Sequence, residues 1–102
     1  MKRGYETVPV GESSICKRYG IQKTPASGAF WTHKGDGTKG EERYEIKETD
    51  KKSLSIKAEW LNKIRSEAAE RGDLPRFLFR IGNEIWAAMP AGEYFWNNDK
   101  ED

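Results

Sequence analysis

Asp36 lies in a glycine-bounded loop, and Glu45 and Lys47 follow it two residues apart in Tyr44-Glu45-Ile46-Lys47. A strand projects residues i and i+2 from one face. Glu45 and Lys47 are therefore expected to point together, and Tyr44 and Ile46 to turn the other way into a core. Two converging carboxylates make a hard-cation site. A lysine beside them holds or activates a water, or neutralises charge growing on a phosphate. Those side chains are the minimal equipment of a metal-dependent nuclease. In a chain that is 34% charged, a Glu-x-Lys pair also arises by chance; the order of the surrounding elements is what gives this one weight.

The elements that must position these groups are legible in outline. Glu12 to Tyr19 reads as a short helix stopped by Gly20, with Ile15, Cys16 and Tyr19 as its apolar side. Pro25, Ser27 and Gly28 break up residues 21–34, and a glycine-rich loop follows around Gly35, Gly37 and Gly40. A strand is expected over Arg43 to Thr49. Ser53 or Ser55 would cap a long helix ending at Arg71, with Gly72 and Pro75 as its stop. Trp60, Leu61, Ile64 and Ala68 form its apolar stripe, with Lys57, Lys63, Arg65 and Glu67 mostly outside it. Arg76 to Ile81 alternates as a strand, Gly82-Asn83 is a turn signal, and Glu84 to Met89 returns as a hairpin. Strand, helix and strand over 43–81 predict a right-handed crossover between parallel strands. Residues 97–102 read as a polar, frayed tail. Trp60, Trp86, Phe77 and Phe79 are assigned to the core or to a contact between subunits.

A length of 102 residues means one domain. The apolar fraction is 35%, and four Trp, four Tyr and four Phe supply much of the burial. Self-association would supplement so small a core. No apolar run approaches the roughly 20 residues that span a bilayer, and Met1-Lys2-Arg3-Gly4-Tyr5-Glu6 does not lead into a signal-peptide core. A soluble, cytoplasmic protein without a membrane partner is the expectation. Cys16 is the single cysteine and His33 the single histidine, which argues against a disulfide, a thiolate cluster, a histidine metal site and a histidine triad. Net charge is +1, but residues 1–40 carry Lys2, Arg3, Lys17, Arg18, Lys23, Lys34 and Lys39 against Glu6, Glu12 and Asp36. With Glu12, Asp36 and Glu45 bound to a cation, the surrounding face becomes positive, as a phosphate-binding surface should be. An ordinary solvated surface reads the same way by charge alone. Phe30-Trp31 beside Lys34 would stack on DNA or form an apolar subunit contact. Lys57 near a helix start is disfavoured by the dipole unless it faces a phosphate or solvent.

The order of helix acid, Thr24-Pro25-Ala26-Ser27-Gly28-Ala29, Gly35-Asp36, Glu45-Ile46-Lys47 and Ser53-Leu54-Ser55-Ile56-Lys57 resembles the PD-(D/E)XK nuclease superfamily. Within it, the chain is most similar to the archaeal and phage type of Holliday junction resolvase, over roughly residues 10–90. The resemblance implies an α/β fold, a small restriction-endonuclease-like mixed β-sheet flanked by helices. It also implies a homodimer with Mg²⁺-dependent sites (Mn²⁺ able to substitute) that cuts opposite strands of branched double-stranded DNA. By position, Asp36 and Glu45 match the metal-binding acids and Lys47 the catalytic lysine. Glu12 matches the helix acid that completes the site, and the Ile46 carbonyl would join the ligands. Ser27 would touch the backbone near the scissile phosphate, with Lys34, Lys57, Lys17, Arg18 and Lys23 as further DNA contacts. Cleavage would leave a 5′-phosphate and a 3′-hydroxyl, with shape and backbone read rather than sequence.

The chain departs from the family pattern in two places. Gly35 stands where a proline is expected, and Gly37-Thr38-Lys39-Gly40-Glu41-Glu42 replaces an apolar strand. It reads as a trimmed member of phage type. The alternatives are another nuclease of this fold acting on flapped, nicked or linear DNA, and a non-catalytic DNA-binding or interaction protein.

Overall fold

The structure is a computed structural model and describes residues 7–24 and 35–99. Helix α1 (Glu12–Tyr19) starts after Gly11 and ends at Gly20, whose left-handed backbone (φ 72°) returns its N–H to the Cys16 carbonyl. Glu12 in the first turn and Lys17 and Arg18 in the last both suit the helix dipole. Ile15 and Cys16 are buried, whereas Tyr19 is 38% exposed, so the apolar side is narrower than the spacing predicts.

Five strands follow in spatial order: β1 (Gln22–Lys23), β2 (Gly37–Lys39), β3 (Glu42–Thr49), β4 (Leu74–Ile81) and β5 (Glu84–Ala88). All neighbours are antiparallel except β3 and β4, which are parallel and joined through α2 (Ala58–Arg71). With α3 (Ala91–Asp99), three helices flank a mixed sheet, the α/β class expected.

The pleat of β3 and β4 separates two faces. On one, Ile15, Cys16 and Ile21 pack on Ile46 and Leu78, with Tyr44 and Ile85 at the margin. Full burial of Ile15 alone contributes about 2 kcal/mol. On the other, α2 buries Ile64 and Ala68, and the Trp60 ring stacks on Phe77 with centroids 6.1 Å apart. Gly37 sits where β1 crosses closest: a Cβ there would lie 2.6 Å from Ile21 Cγ2 and 2.9 Å from the Gln22 carbonyl.

Four expectations change. Neither Ser53 nor Ser55 caps α2, which starts at Ala58 after an extended Lys57 with no side-chain cap. Residues 50–57 instead carry the chain from the end of β3 over to the helix layer. Pro75 lies inside β4 rather than only ending the helix. Leu74 donates its N–H toward β3 (2.7 Å to the Glu41 carbonyl), so residue 75 faces the β5 side. Pairing with β5 begins only at Phe77, so the missing proline N–H breaks no ladder. Residues 97–99 belong to α3, not to a frayed tail; Pro90 opens the helix by accepting from Tyr94 N–H. Of the two places expected for Trp86, the core or a subunit contact, the first is excluded, because it is 60% exposed on the edge strand β5.

Buried arginines are a feature that the alternating pattern of β4 does not announce. Arg76 binds Glu93 through two nitrogens (2.6 and 3.1 Å) and Glu42 (3.0 Å), pinning α3 to the sheet. Arg80 binds Glu48 (2.8 Å), Asp50 (3.0 Å) and the Gly82 carbonyl (2.7 Å). The two guanidiniums flank Leu78 on the α1 side of the sheet.

Candidate active site

The two-residue turn Gly40-Glu41 sets the register of β2 on β3, and β2 ends where Gly37 pairs with Tyr44. Beyond that point the edge of β3 is open, and Asp36 fills it twice. Its N–H donates to the Tyr44 carbonyl (2.7 Å), and its Oδ2 accepts the Ile46 N–H (2.7 Å). A strand residue's N–H and C=O point to the same side. The Ile46 carbonyl therefore faces the open edge next to the Asp36 carboxylate.

Gly35 makes this approach possible. Its φ is +79°, which proline, locked near −65°, cannot adopt. Glycine, and not the proline that the resemblance leads one to expect, is therefore what this backbone accepts. A Cβ on Gly35 would also lie 3.2 Å from the Tyr44 carbonyl.

Glu45 and Lys47 project together onto the α2 face, as the alternation predicts. Glu45 is 5% exposed, with Lys47 Nζ 3.4 Å from Oε2 and Lys63 Nζ 3.4 Å from Oε1. Lys47 Nζ also lies 4.7 Å from the centre of the Trp60 ring, which holds the ammonium by a cation–π contact while its side chain stays one-third exposed. Lys63 reaches on to Glu67 (3.3 Å), whose second oxygen is buried without a hydrogen-bond partner. Burial opposes the charge on Lys63, but Glu45 and Glu67 outweigh it and raise its pKa.

Asp36 carries the electrostatic signature of the cluster. Burial pushes its pKa from 3.8 up to about 6; the Ile46 N–H and Lys63 oppose the rise, and Glu45 and Glu12 add to it. Asp36 therefore stands between two acids that each disfavour its charge, Glu12 on α1 and Glu45 on the α2 face of β3. The position of α1 is fixed by Glu48, whose Oε1 accepts both the Gly11 N–H and Arg80 Nε at 2.8 Å. Behind Asp36, burial first and then Glu12 and Asp36 raise the Cys16 thiol pKa.

The donor set is all oxygen, which suits a hard divalent cation. Among the described residues no three Asp, Glu, His or Cys side chains gather into a metal-binding group. The acids brought onto one patch of β3 are Asp36 and Glu45, with Glu12 near enough to be felt. The remaining positions around a Mg²⁺ ion would fall to the Ile46 carbonyl, to water and to a phosphate, in keeping with an ion that retains several waters.

The other candidates are scattered. Lys17 and Arg18 lie exposed on α1, and Lys23 donates to Ser13 Oγ (2.9 Å). Lys57 precedes α2 with its Nζ 5.8 Å from the Trp60 ring centre, so that aromatic face, beside Lys47, accommodates it. Ser27 and Lys34, with Phe30, Trp31 and His33, lie outside the described residues. The spacing of Trp60, Lys63, Ile64 and Glu67 at i, i+3, i+4 and i+7 places all four along one side of α2. That was the signal by which Lys63 and Glu67 could have joined the site. Compared with known protein families, curated proteins and solved structures, the chain matches none.

Proposed function

We propose that the chain is a metal-dependent endodeoxyribonuclease that resolves four-way DNA junctions, with Asp36, Glu45 and the Ile46 carbonyl as the Mg²⁺ ligands. The observation that carries this reading is the Asp36 carboxylate docked on the Ile46 N–H, between the residues of the Glu45–Lys47 pair on the open edge of β3. It supports the reading because acids held together against their own repulsion form a binding site for positive charge. When bound, the cation supplies Lewis-acid activation of the phosphate and a water of lowered pKa.

The chain's own groups do the rest. Lys47, fixed between Glu45 and the Trp60 ring, orients the attacking water or stabilises charge on the pentavalent phosphorus. The water oxygen bonds to phosphorus, the bond to the 3′ oxygen breaks, and that oxygen takes up a proton, leaving a 5′-phosphate. Glu12 tunes the site from α1, while Lys17, Arg18, Lys23, Lys57, Ser27 and Lys34 meet the DNA backbone. A homodimer would present two such sites to opposite strands.

The test compares cleavage of a four-way junction with that of linear and flapped duplexes of matched sequence in Mg²⁺ or Mn²⁺. Preference for the junction is expected, with loss of about 10²-fold or more in Glu45→Gln and in Lys47→Ala. Equal rates on all substrates would sink the resolvase reading in favour of a broader nuclease. Junction binding without any cleavage would leave a non-catalytic DNA-binding protein.

A further inference from the structure

Lys47, Phe79 and Trp86 are lateral neighbours on adjacent strands, by the register Lys47↔Phe79 and Phe79↔Trp86. They share the face that α2 covers only in part. Past the end of α2's cover, this row opens into a cleft of about 540 Å³ between the 50–52 turn and the β4–β5 hairpin, floored by Phe79 and walled by Lys51, Lys52, Asn83 and Trp86. The volume falls in the range of small-ligand sites.

Trp86 is 60% exposed, yet it is not loose. It stands on a paired strand, and its indole N–H donates to Glu84 Oε1 at 3.0 Å. That bond fixes the plane of an exposed ring. The acids near the cleft are engaged: Glu84 by Trp86, and Asp50 by Arg80 at 3.0 Å. Among the described residues no ion pair involves Lys51 or Lys52, and both are exposed. The cleft thus combines a fixed aromatic face with two cations, and Phe79 on its floor is the lateral neighbour of Lys47 on β3.

We infer that this cleft binds an unpaired nucleotide of a nucleic-acid strand, with the base stacked on Trp86 and the flanking phosphates met by Lys51 and Lys52. Stacking on an exposed aromatic tolerates any base, and a cation pair beside it tracks the backbone rather than the sequence. Two exposed lysines and a donor amide from Asn83 fit phosphate and base edge better than they fit an apolar protein partner. The inference extends the proposed nuclease function to a second contact but does not depend on cleavage.

The test uses the whole chain in EDTA, so that binding is read apart from any catalysis. Anisotropy of a labelled oligothymidylate of about eight nucleotides reports affinity, with a duplex of equal length and free thymidine monophosphate as comparison ligands. The oligonucleotide is expected to bind more tightly than either. Trp86→Ala should weaken it about tenfold and Trp86→Phe much less, since phenylalanine keeps an aromatic face on which the base can stack. Lys51→Ala/Lys52→Ala, in an exposed turn that leaves the fold intact, should reduce the salt slope by about 1.4, roughly 0.7 for each phosphate that is no longer neutralised. Equal affinity for duplex or for the free nucleotide would overturn the inference, as would unchanged binding by Trp86→Ala. A Trp86→Ala change in sedimenting mass without a change in binding would assign Trp86 to a contact between copies instead. Should the chain cut no DNA while Trp86-dependent binding persists, the nuclease reading fails and this one stands.

Discussion

Asp36 is the residue whose environment is most at odds with its chemistry. A carboxyl with a pKa of about 6 in the folded chain and 3.8 ordinarily is one that the fold prefers protonated. Between those values the folded state binds more protons than the unfolded state, so this group's contribution to stability rises as pH falls through 6 and levels off below 3.8. Asp36→Asn keeps an oxygen for the Ile46 N–H and removes the charge. It should flatten that part of the pH profile and raise the melting temperature at alkaline pH in EDTA. Thermal melts across pH that run parallel for the two proteins would refute the placement of Asp36 among buried acids. Divalent cations should stabilise the parent above pH 6 and not Asp36→Asn, because only the parent holds the charge that binds them. The pairing of Glu45 with Lys47 was legible from a spacing of two on a strand. The docking of Asp36 on Ile46 was not, because it depends on where β2 stops.

At the scale of elements, α1 is held against the sheet by a side-chain relay rather than by apolar area alone. Arg80 holds Glu48, and Glu48 holds the Gly11 N–H at the start of the helix that carries Glu12. Arg80→Met leaves the Glu48 carboxylate short of its cation and should lower stability by about 3 kcal/mol, read from the denaturation midpoint at constant slope. Asp50 binds the same guanidinium but is 88% exposed, so Asp50→Asn should cost less than about 1 kcal/mol. Similar losses for the two would mean that the relay is not what positions the helix. Cys16, 2% exposed on the buried side of α1 with its thiol pKa raised by burial, should react with an aromatic disulfide reagent only as fast as α1 opens. Immediate modification of the native protein would contradict the packing. Helix α1 and strands β3 to β5 were readable from punctuation by glycine and from alternation. The two short strands were not, since two and three residues carry no period, and the start of α2 was misplaced because Ser53 and Ser55 advertise caps that the long approach to the helix does not use.

At the scale of the molecule, the described hydrophobic core is small, and large aromatic side chains remain outside it. Tyr94, Phe95 and Trp96 on α3 are 48%, 57% and 69% exposed, with the helix moored through Glu93 on Arg76. The small core and the proposed paired cleavage both call for a second copy. Sedimentation at micromolar concentration should give twice the 11.7 kDa chain mass; a single-chain mass that persists on a bound junction would remove the paired-cut element of the proposal. No helix among the described residues is long and apolar enough to cross a membrane.

The sequence by itself determined the side-chain periodicity: which residues of β3 share a face, where glycine must end α1 and α2, and that a strand, a helix and a strand follow the acidic loop. These are local properties of pleat, turn and helix pitch. Tertiary structure alone decided that Asp36 closes the open edge of β3, that Lys63 reaches Glu45 from α2, that Arg80 and Glu48 seat α1, and that Trp86 stands beside Lys51 and Lys52. Each of these joins residues from separate elements. Their meeting is set by register and by the layer in which a helix lands, which no spacing along the chain encodes.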